Sequence, residues 1–201
     1  MKITGFYDNK EGHGKGFLVW PDSVWLRNGK PMFLPSEDEI FKIILAPCIK
    51  IDRVGKSVTE RFAGRYYSQA AYTAVMLNER AYNALRDGKD PYATDICNDC
   101  CILTGNFLDK TVWEKIKNIN ITFFPLLFKE GSEKQAYSLS FDPEDFFRLA
   151  DMAVAMASRR NTLKTGDFII PMLEGFMSDA ILDTKFEVGA EGVDLLAFKV
   201  K

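Results

Sequence analysis

The sequence has few of the residues that most often bind transition metals. It contains 1 histidine, His13, and 4 cysteines among 201 residues. Cys97 and Cys100 could supply half of a tetrahedral zinc site, but only Cys48 and His13 remain to complete it. The adjacent pair Cys100-Cys101 is also a poor layout for a disulfide framework in a chain long enough to bury its own core. We therefore predict reduced, zinc-free cysteines that pack as small hydrophobic side chains.

Charge of one sign and long hydrophobic runs are also lacking. The 26 Lys+Arg and 28 Asp+Glu residues leave a net charge of −2, with no block of like charges. This balance predicts no binding to nucleic acid or to an anionic membrane surface. The longest apolar runs, residues 43–49 and 121–128, are far shorter than the ~20 residues that span a bilayer. With no secretory signal at its start, we expect a cytoplasmic chain that forms a single domain over residues 1–201.

What the sequence does contain is a series of short extended segments. Asn28-Gly29 between two of them predicts a type I′ hairpin, because both residues tolerate positive φ. Residues 41–51 are apolar except for two lysines, which predicts a strand that is buried on both faces and broken at Pro47. The other predicted strands include residues 2–7, 17–20, 70–77, 119–128, 135–140, 168–172, 185–188 and 193–200.

One long helix is predicted near residues 142–160. Asp142 can cap its amino terminus, and Pro143 suits its first position. Apolar residues at helical spacing predict the face that packs on a sheet: Phe146, Leu149, Ala153 and Met156. A capping-box pattern, Ser57 with Glu60, predicts a second, short helix. Because no βαβ unit repeats, the pattern favours an α+β fold with a mostly antiparallel or mixed sheet.

The segment after the long helix is similar to a motif of the fumarylacetoacetate hydrolase family. Residues 161–170, Asn-Thr-Leu-Lys-Thr-Gly-Asp-Phe-Ile-Ile, resemble the family's S-x-x-x-T-L-x-x-G-D-x-I pattern, and Ser158 matches its serine. Lys10 and Trp20 stand where the family has a tyrosine and a lysine. The remaining matches follow in the family's order along the chain: Gly5, Asn9 and His13 of G-x-x-x-N-Y-x-x-H, then Pro21, Ser23, Gly29, Leu34 and Pro35 of K-P-x-S … G-x-x-I-x-L-P, then Tyr72-Thr73 of G-Y-T, then Lys129-Glu130-Gly131 for N-G-E.

This resemblance implies a mixed β-sandwich roll that is usually a homodimer. It also implies hydrolysis, isomerisation or decarboxylation of a 2-oxo acid through an enolate. A divalent cation with several oxygen ligands would hold the 2-oxo carboxylate and stabilise the developing negative charge. In the role that the family gives this position, His13 would be the catalytic general base, oriented by Glu11.

The family's metal ligands are missing at the aligned positions. Its Glu-x-Glu pair falls on Phe41 and Ile43, its aspartate on Leu77, and its lysine on Ile96. Apolar side chains cannot ligate a divalent cation, which takes oxygen ligands. The main hypothesis is therefore a non-catalytic homologue with no metal ligands and no cofactor, which binds a small molecule such as a 2-oxo acid or has a structural role.

A second alignment leaves an alternative open. Glu37 and Glu39 read as Glu-x-Glu, and Asn78-Glu79 could replace the family's Asn-Asp pair if the strand were two residues longer. A shift of two residues keeps the side-chain face. The chain would then be an active hydrolase or decarboxylase of an acylpyruvate-type 2-oxo acid, dependent on Mg²⁺ or Mn²⁺.

Overall fold

A computed structural model describes residues 1–8, 15–36, 38–87, 101–125, 134–173 and 175–201. Strands dominate these ranges. The strands are β1 (Lys2–Asp8), β2 (Lys15–Pro21), β3 (Trp25–Arg27), β4 (Phe41–Ile51), β5 (Tyr67–Asn78), β6 (Cys101–Thr104), β7 (Leu108–Asp109), β8 (Asn118–Pro125), β9 (Gln135–Ser140), β10 (Phe168–Ile170), β11 (Phe176–Asp179), β12 (Thr184–Ala190) and β13 (Val193–Lys199). The α-helices are α1 (Glu60–Ala63), α2 (Glu79–Arg86), α3 (Lys110–Trp113) and α4 (Pro143–Arg160).

Within the described ranges, these strands form two sheets. The larger sheet has nine strands: seven lie in the order β2-β1-β10-β4-β5-β6-β3, while β11 pairs with β4 and β7 with β5. The smaller sheet has the order β13-β12-β8-β9. Two of the pairings in the large sheet, β1 with β10 and β3 with β6, are parallel, and the others are antiparallel. The α+β class with a mixed sheet is therefore confirmed.

The large sheet curls into a roll. Trp25 on β3 and Phe168 on β10 are four strands apart in the sheet, which in a flat sheet would separate them by about 19 Å. Their ring centroids are only 5.4 Å apart, in an edge-to-face arrangement. The sheet therefore bends until its β3 edge meets β10, and the face that carries both rings is concave.

Two hydrophobic cores occupy the two faces of the large sheet. The roll core fills the concave face and comprises Ile3, Tyr7, Leu18, Trp20, Ile44, Ala46, Cys48, Ala71, Val75, Leu77, Ile102, Phe168, Ile170 and Leu173. The sandwich core joins the outer face to the small sheet and α4, and its larger members include Phe41, Ile43, Met76, Trp113, Phe146 and Phe186. Successive β4 residues alternate between the two cores because adjacent strand side chains point to opposite faces. This alternation decides which β4 residues face the interior of the roll.

Helix α4 begins and ends where the sequence predicts, but its buried face is broader. The Asp142 carboxylate accepts hydrogen bonds from the backbone N–H groups of Glu144 (3.0 Å) and Asp145 (3.3 Å), so the predicted cap is present. Leu149 and Met156, predicted to point inward, are only half-buried. The fully buried positions are Phe146, Phe147, Ala150, Ala153, Val154, Ala155, Ala157 and Ser158, because the helix packs against both the sandwich core and α1.

Pro47 does not break β4, contrary to the sequence prediction. The strand continues through this residue, which pairs with Tyr72 on β5. On the other side of β4, β11 pairs with residues 42–45 and β10 with residues 49–50. Position 47 lies in the gap between these two partners, so the missing proline N–H interrupts no described pairing there.

The two turn signals in the first third of the chain form different structures from those predicted. Gly29 has φ +78°, but Asn28 does not have a positive φ, and β3 pairs in parallel with β6 instead of forming a hairpin. The Asn28 side chain accepts a hydrogen bond from the backbone N–H of Ala197 (3.0 Å) and so serves as a long-range contact. Ser57 is not a helix cap, because Thr59 occupies the N-cap position of α1, without a capping hydrogen bond from its side chain, and the helix ends at Ala63. No helix within the described ranges is long and apolar enough to cross a membrane.

Candidate functional site

The end of the roll at which β4 begins carries the residues that the sequence associates with a metal site. The first residue of β4, Phe41, lies opposite the last residue of β5, Asn78. β1 is parallel to β10, and β10 is antiparallel to β4, so β1 also ends toward this side. Of the sequence candidates, Glu11, His13, Glu37, Ile96 and the segment 129–131 lie outside the described residues. The site is therefore built from the described residues on β4, β5 and β11.

The three positions aligned with the family's metal ligands do not converge on one point. Phe41 and Ile43 pair with Asn78 and Met76 and pack into the sandwich core. Leu77 pairs with Lys42 and faces the opposite side, into the roll core. All three aligned side chains are at most 1% exposed. On β4, the near neighbours that share the face of Leu77 are Lys42 and Ile44, and neither side chain offers an oxygen.

Lys42 is the charged centre of this end of the roll. Its ammonium lies 2.5 Å from a carboxylate oxygen of Asp179 on β11 and 3.1 Å from one of Glu79 at the start of α2. The register explains the first contact, because Asp179 is directly opposite Lys42 in the β11–β4 pairing. The hydrogen bond from the ammonium to Asp179 is the largest influence on the pKa of Lys42, and together with the bond to Glu79 it raises this pKa above its ordinary value despite partial desolvation. The ammonium is therefore firmly charged at neutral pH.

The described carboxylates of the second alignment are engaged elsewhere. Glu39 accepts a hydrogen bond from the side-chain amide of Asn78, at 2.6 Å. Glu79 is paired with Lys42. Among the described residues, no three His, Cys, Asp or Glu side chains are grouped closely enough to hold a metal ion. Among the described residues, the carboxylates of this part of the structure are therefore already paired with Lys42 or Asn78.

Trp20 occupies the interior of the roll, in the place where the family pattern has a lysine. It is fully buried, and it packs so closely over Gly5 that a Cβ on this glycine would lie 2.8 Å from the indole ring and 2.7 Å from Leu173. Among the described residues, the indole N–H finds no hydrogen-bond partner. At this position the interior of the roll therefore holds a buried aromatic ring, where a lysine would place an ammonium group.

Three residues of the motif at and after the end of the long helix have structural roles in this chain. Ser158 is fully buried, donates to the carbonyl of Ala155 (3.0 Å) and accepts from the backbone N–H of Val58 (2.9 Å), which ties the turn before α1 to α4. Leu163 forms a short bridge with Gly55. Asp167 is 2% exposed and accepts from three groups: the Lys2 backbone N–H (3.0 Å), the Lys2 ammonium (2.6 Å) and the Lys164 backbone N–H (2.8 Å).

The two described cysteines are free thiols. Cys48 is fully buried in the roll core, and burial raises its pKa to about 12. Cys101 is half-buried, and burial raises its pKa to about 11. Both therefore remain protonated at neutral pH and pack as small apolar groups, as predicted. Cys97 and Cys100 lie outside the described residues.

A second cluster of titratable groups joins β5 to α4. The Tyr67 hydroxyl donates to the Asp151 carboxylate at 2.8 Å, and the Lys110 ammonium lies 4.4 Å from the ring centroid of Phe147. Desolvation raises the pKa of Asp151, while the hydrogen bond from Tyr67 partly opposes it. Sequence reasoning missed this cluster because Tyr67 and Asp151 are 84 residues apart and no local pattern links them.

The curled mixed sheet, the second antiparallel sheet and the long helix form the fumarylacetoacetate hydrolase fold, because solved structures of that fold superpose on nearly the whole of this chain. This confirms the sequence resemblance at the level of the fold. No family model matches the sequence, and no curated protein matches it.

Solved structures that share the fold include a hydrolase, an isomerase and a putative fumarylacetoacetate hydrolase family protein. Fumarylpyruvate hydrolase from Pseudomonas aeruginosa, solved with Mn²⁺ and pyruvate, is 12% identical, with a TM-score of 0.70 over 100% of this chain and 89% of that one. A 5-carboxymethyl-2-hydroxymuconate delta-isomerase from Mycobacterium smegmatis is 17% identical, with a TM-score of 0.69 over 99% and 78%. A putative fumarylacetoacetate hydrolase family protein from Yersinia pestis is 13% identical, with a TM-score of 0.69 over 100% and 92%.

Proposed function

We propose that this chain is a divergent homologue of the fumarylacetoacetate hydrolase family that does not carry out metal-dependent turnover. The observation that carries the proposal is the position of Lys42. Its ammonium bridges the carboxylates of Glu79 and Asp179, on the same face as Leu77, where the family pattern calls for an aspartate. A fixed positive charge thus occupies the end of the roll where a divalent cation would otherwise be held.

Electrostatics supports this reading in two ways. The ammonium uses oxygen atoms of Glu79 and Asp179 that a cation would need as ligands, and it repels a second positive charge placed nearby. The aligned side chains at positions 41, 43 and 77 would require a hydrated dication to lose its water without gaining protein oxygens. Without the cation, the Lys42 ammonium is the positive charge left at the described site, and its pairing with Glu79 and Asp179 leaves it poorly suited to stabilise a developing enolate.

The alternative, an active enzyme that uses Glu37, Glu39 and Glu79, predicts different behaviour. It requires Glu79, which is paired with Lys42, and Glu39, which accepts a hydrogen bond from Asn78, to direct carboxylate oxygens toward one shared cation. It also predicts a saturable divalent-cation site that is lost in Glu39→Ala and in Glu79→Ala. Metal binding therefore separates the two proposals without knowledge of the substrate.

The experiment is calorimetric titration of the protein with Mg²⁺ and Mn²⁺, with and without oxalate or pyruvate. We expect no saturable heat beyond that of the same titration without protein, and we expect acylpyruvate hydrolysis and oxaloacetate decarboxylation to stay at the rates of protein-free solutions with the same metal concentration. His13→Ala should leave these rates unchanged. Stoichiometric Mn²⁺ binding, together with turnover that disappears in Glu39→Ala or Glu79→Ala, would refute the proposal and establish the alternative.

A variant of Lys42 tests the role of the ammonium directly. Lys42→Gln leaves Glu79 and Asp179 without their shared cation, so Mn²⁺ should raise the melting temperature of this variant but not that of the wild-type protein. Lys30 is exposed and forms no ion pair with any described residue, so Lys30→Gln provides the matched control. A wild-type melting temperature that already rises with Mn²⁺ would contradict the idea that Lys42 has replaced the metal.

A further inference from the structure

The opposite end of the roll opens into a cleft of about 560 Å³. It lies where β4 ends and β10 begins, and the β6–β7 connection and β3 close its other sides. Its volume falls within the range of small-molecule sites. Because Lys42 and Lys50 stand near the two ends of β4, this cleft is separate from the candidate site described above.

The floor of the cleft is aromatic. The Phe168 ring stacks on Phe107 with centroids 5.0 Å apart and meets the edge of Trp25 at 5.4 Å. The Trp25 indole N–H donates to the Thr104 hydroxyl at 2.9 Å, which fixes the orientation of the indole ring. Trp25 and Phe107 are only half-buried, so part of each ring remains available to a ligand.

Two cationic side chains lie over these aromatic rings, and neither has an acidic partner among the described residues. The Arg27 guanidinium lies 5.6 Å from the Trp25 ring centroid, and the Lys50 ammonium lies 5.4 Å from that of Phe107. In the described part of the structure, neither side chain forms an ion pair, and no Asp or Glu lines the cleft. This is the reverse of Lys42, whose charge is matched by two carboxylates.

The polar groups of the wall add hydrogen-bond donors. The Asn28 side-chain oxygen accepts from the backbone of Ala197, so its NH₂ group keeps its donors for other partners. The Thr104 hydroxyl accepts from Trp25, which leaves its own proton to donate. Donors and cations around an aromatic floor, without described acids, favour a ligand that carries an anion on an apolar, planar body.

We propose that this cleft binds a small aromatic carboxylate. The carboxylate pairs with Arg27 and Lys50, with Arg27 able to donate two parallel hydrogen bonds, and the ring of the ligand rests against Trp25 and Phe107. The site needs no metal ion, so it stands whether or not the proposed loss of metal binding at the other end is correct.

The test is calorimetric titration of the full chain with 2-naphthoate as the probe, at low ionic strength. We expect saturable binding of one molecule per chain. Arg27→Gln and Lys50→Gln should each weaken the affinity about tenfold, since each removes one charge-assisted contact. Arg53→Gln, at a side chain that is 69% exposed and outside the cleft, is the matched control and should bind like the wild-type protein.

Two further probes separate the contributions of charge and ring. The neutral analogue 2-naphthamide should bind at least about tenfold more weakly than the carboxylate, because it cannot pair with the cations. Inorganic phosphate should also bind more weakly, because it has no ring to rest on the floor. Phosphate affinity equal to that of 2-naphthoate, equal binding of the amide, unchanged binding in both variants, or no saturable binding at all would each overturn the proposal.

Discussion

Asp167 offers the sharpest test of the claim that the resemblance motif is structural. Its carboxylate is almost fully buried and joins the start of β1 to the turn before β10 through two backbone N–H groups and one ammonium. Asp167→Ala removes all three acceptor contacts and leaves the N–H groups of Lys2 and Lys164 without their partner. Hydrogen bonds to a charged group contribute about 1.5–3 kcal/mol, and breaking a buried pair costs about 3–5 kcal/mol. Lys2 is 23% exposed and can regain water, so the expected loss lies toward the lower end, at about 3 kcal/mol.

The assay is urea unfolding at pH 7, followed by tryptophan fluorescence and circular dichroism. Asp167→Asn should lose less, about 1–2 kcal/mol, because its carbonyl oxygen still accepts one bond while its NH₂ group meets a donor. Asp194→Ala, at an exposed residue of β13, is the control and should stay within about 0.5 kcal/mol of the wild-type protein. A loss for Asp167→Ala as small as that of the control would refute the structural role assigned to the motif.

Three other predictions concern the helix and the thiols. Phe146→Ala should cost about 3–5 kcal/mol of unfolding free energy, and half-buried Met156→Ala distinctly less, as measured by urea unfolding; equal costs would show that the packing face is misassigned. Asp142→Ala should lose about 1 kcal/mol by the same assay, since it removes the cap, and no loss would mean that the two backbone N–H groups find other partners. Because its pKa is raised to about 12, Cys48 should resist iodoacetamide at pH 8 in the native protein and react after unfolding in urea; rapid native alkylation, detected by mass spectrometry, would contradict its burial.

Local sequence signals predicted most of the elements but not their partners. The apolar run at residues 41–51 and the capped helix after Asp142 carry strong periodic or capping signals, and both form within the predicted bounds, although Pro47 does not break the strand. The strand Phe176–Asp179 has no such signal, because it is short and only half-buried on one face. Asparagine and glycine at positions 28 and 29 tolerate a tight turn, but a turn signal does not specify which strand pairs with β3. In the structure that strand is β6, in parallel.

The candidate site was harder to predict because its geometry depends on pairings across the chain. Lys42 meets Asp179, which is 137 residues away in sequence. Whether Leu77 shares a face with Ile43 or with Lys42 depends on the β4–β5 register, and a change of one residue reverses the answer. Sequence alignment alone placed Phe41, Ile43 and Leu77 together, whereas the pleat of the strands separates them.

The two lysines of β4 limit how this strand can misalign during folding. Lys42 and Lys50 share one face with Ile44, Ala46 and Cys48, which lie between them in the roll core. A slip of two residues along β5 would keep every apolar side chain on its proper face, so hydrophobic burial alone opposes it only weakly. Such a slip would draw one of the two ammonium groups beneath the apolar interior, at a cost of several kcal/mol, whichever way the strand moved. The two charges therefore disfavour a shift of β4 in either direction. They select one β4–β5 register out of several that the apolar pattern alone would allow.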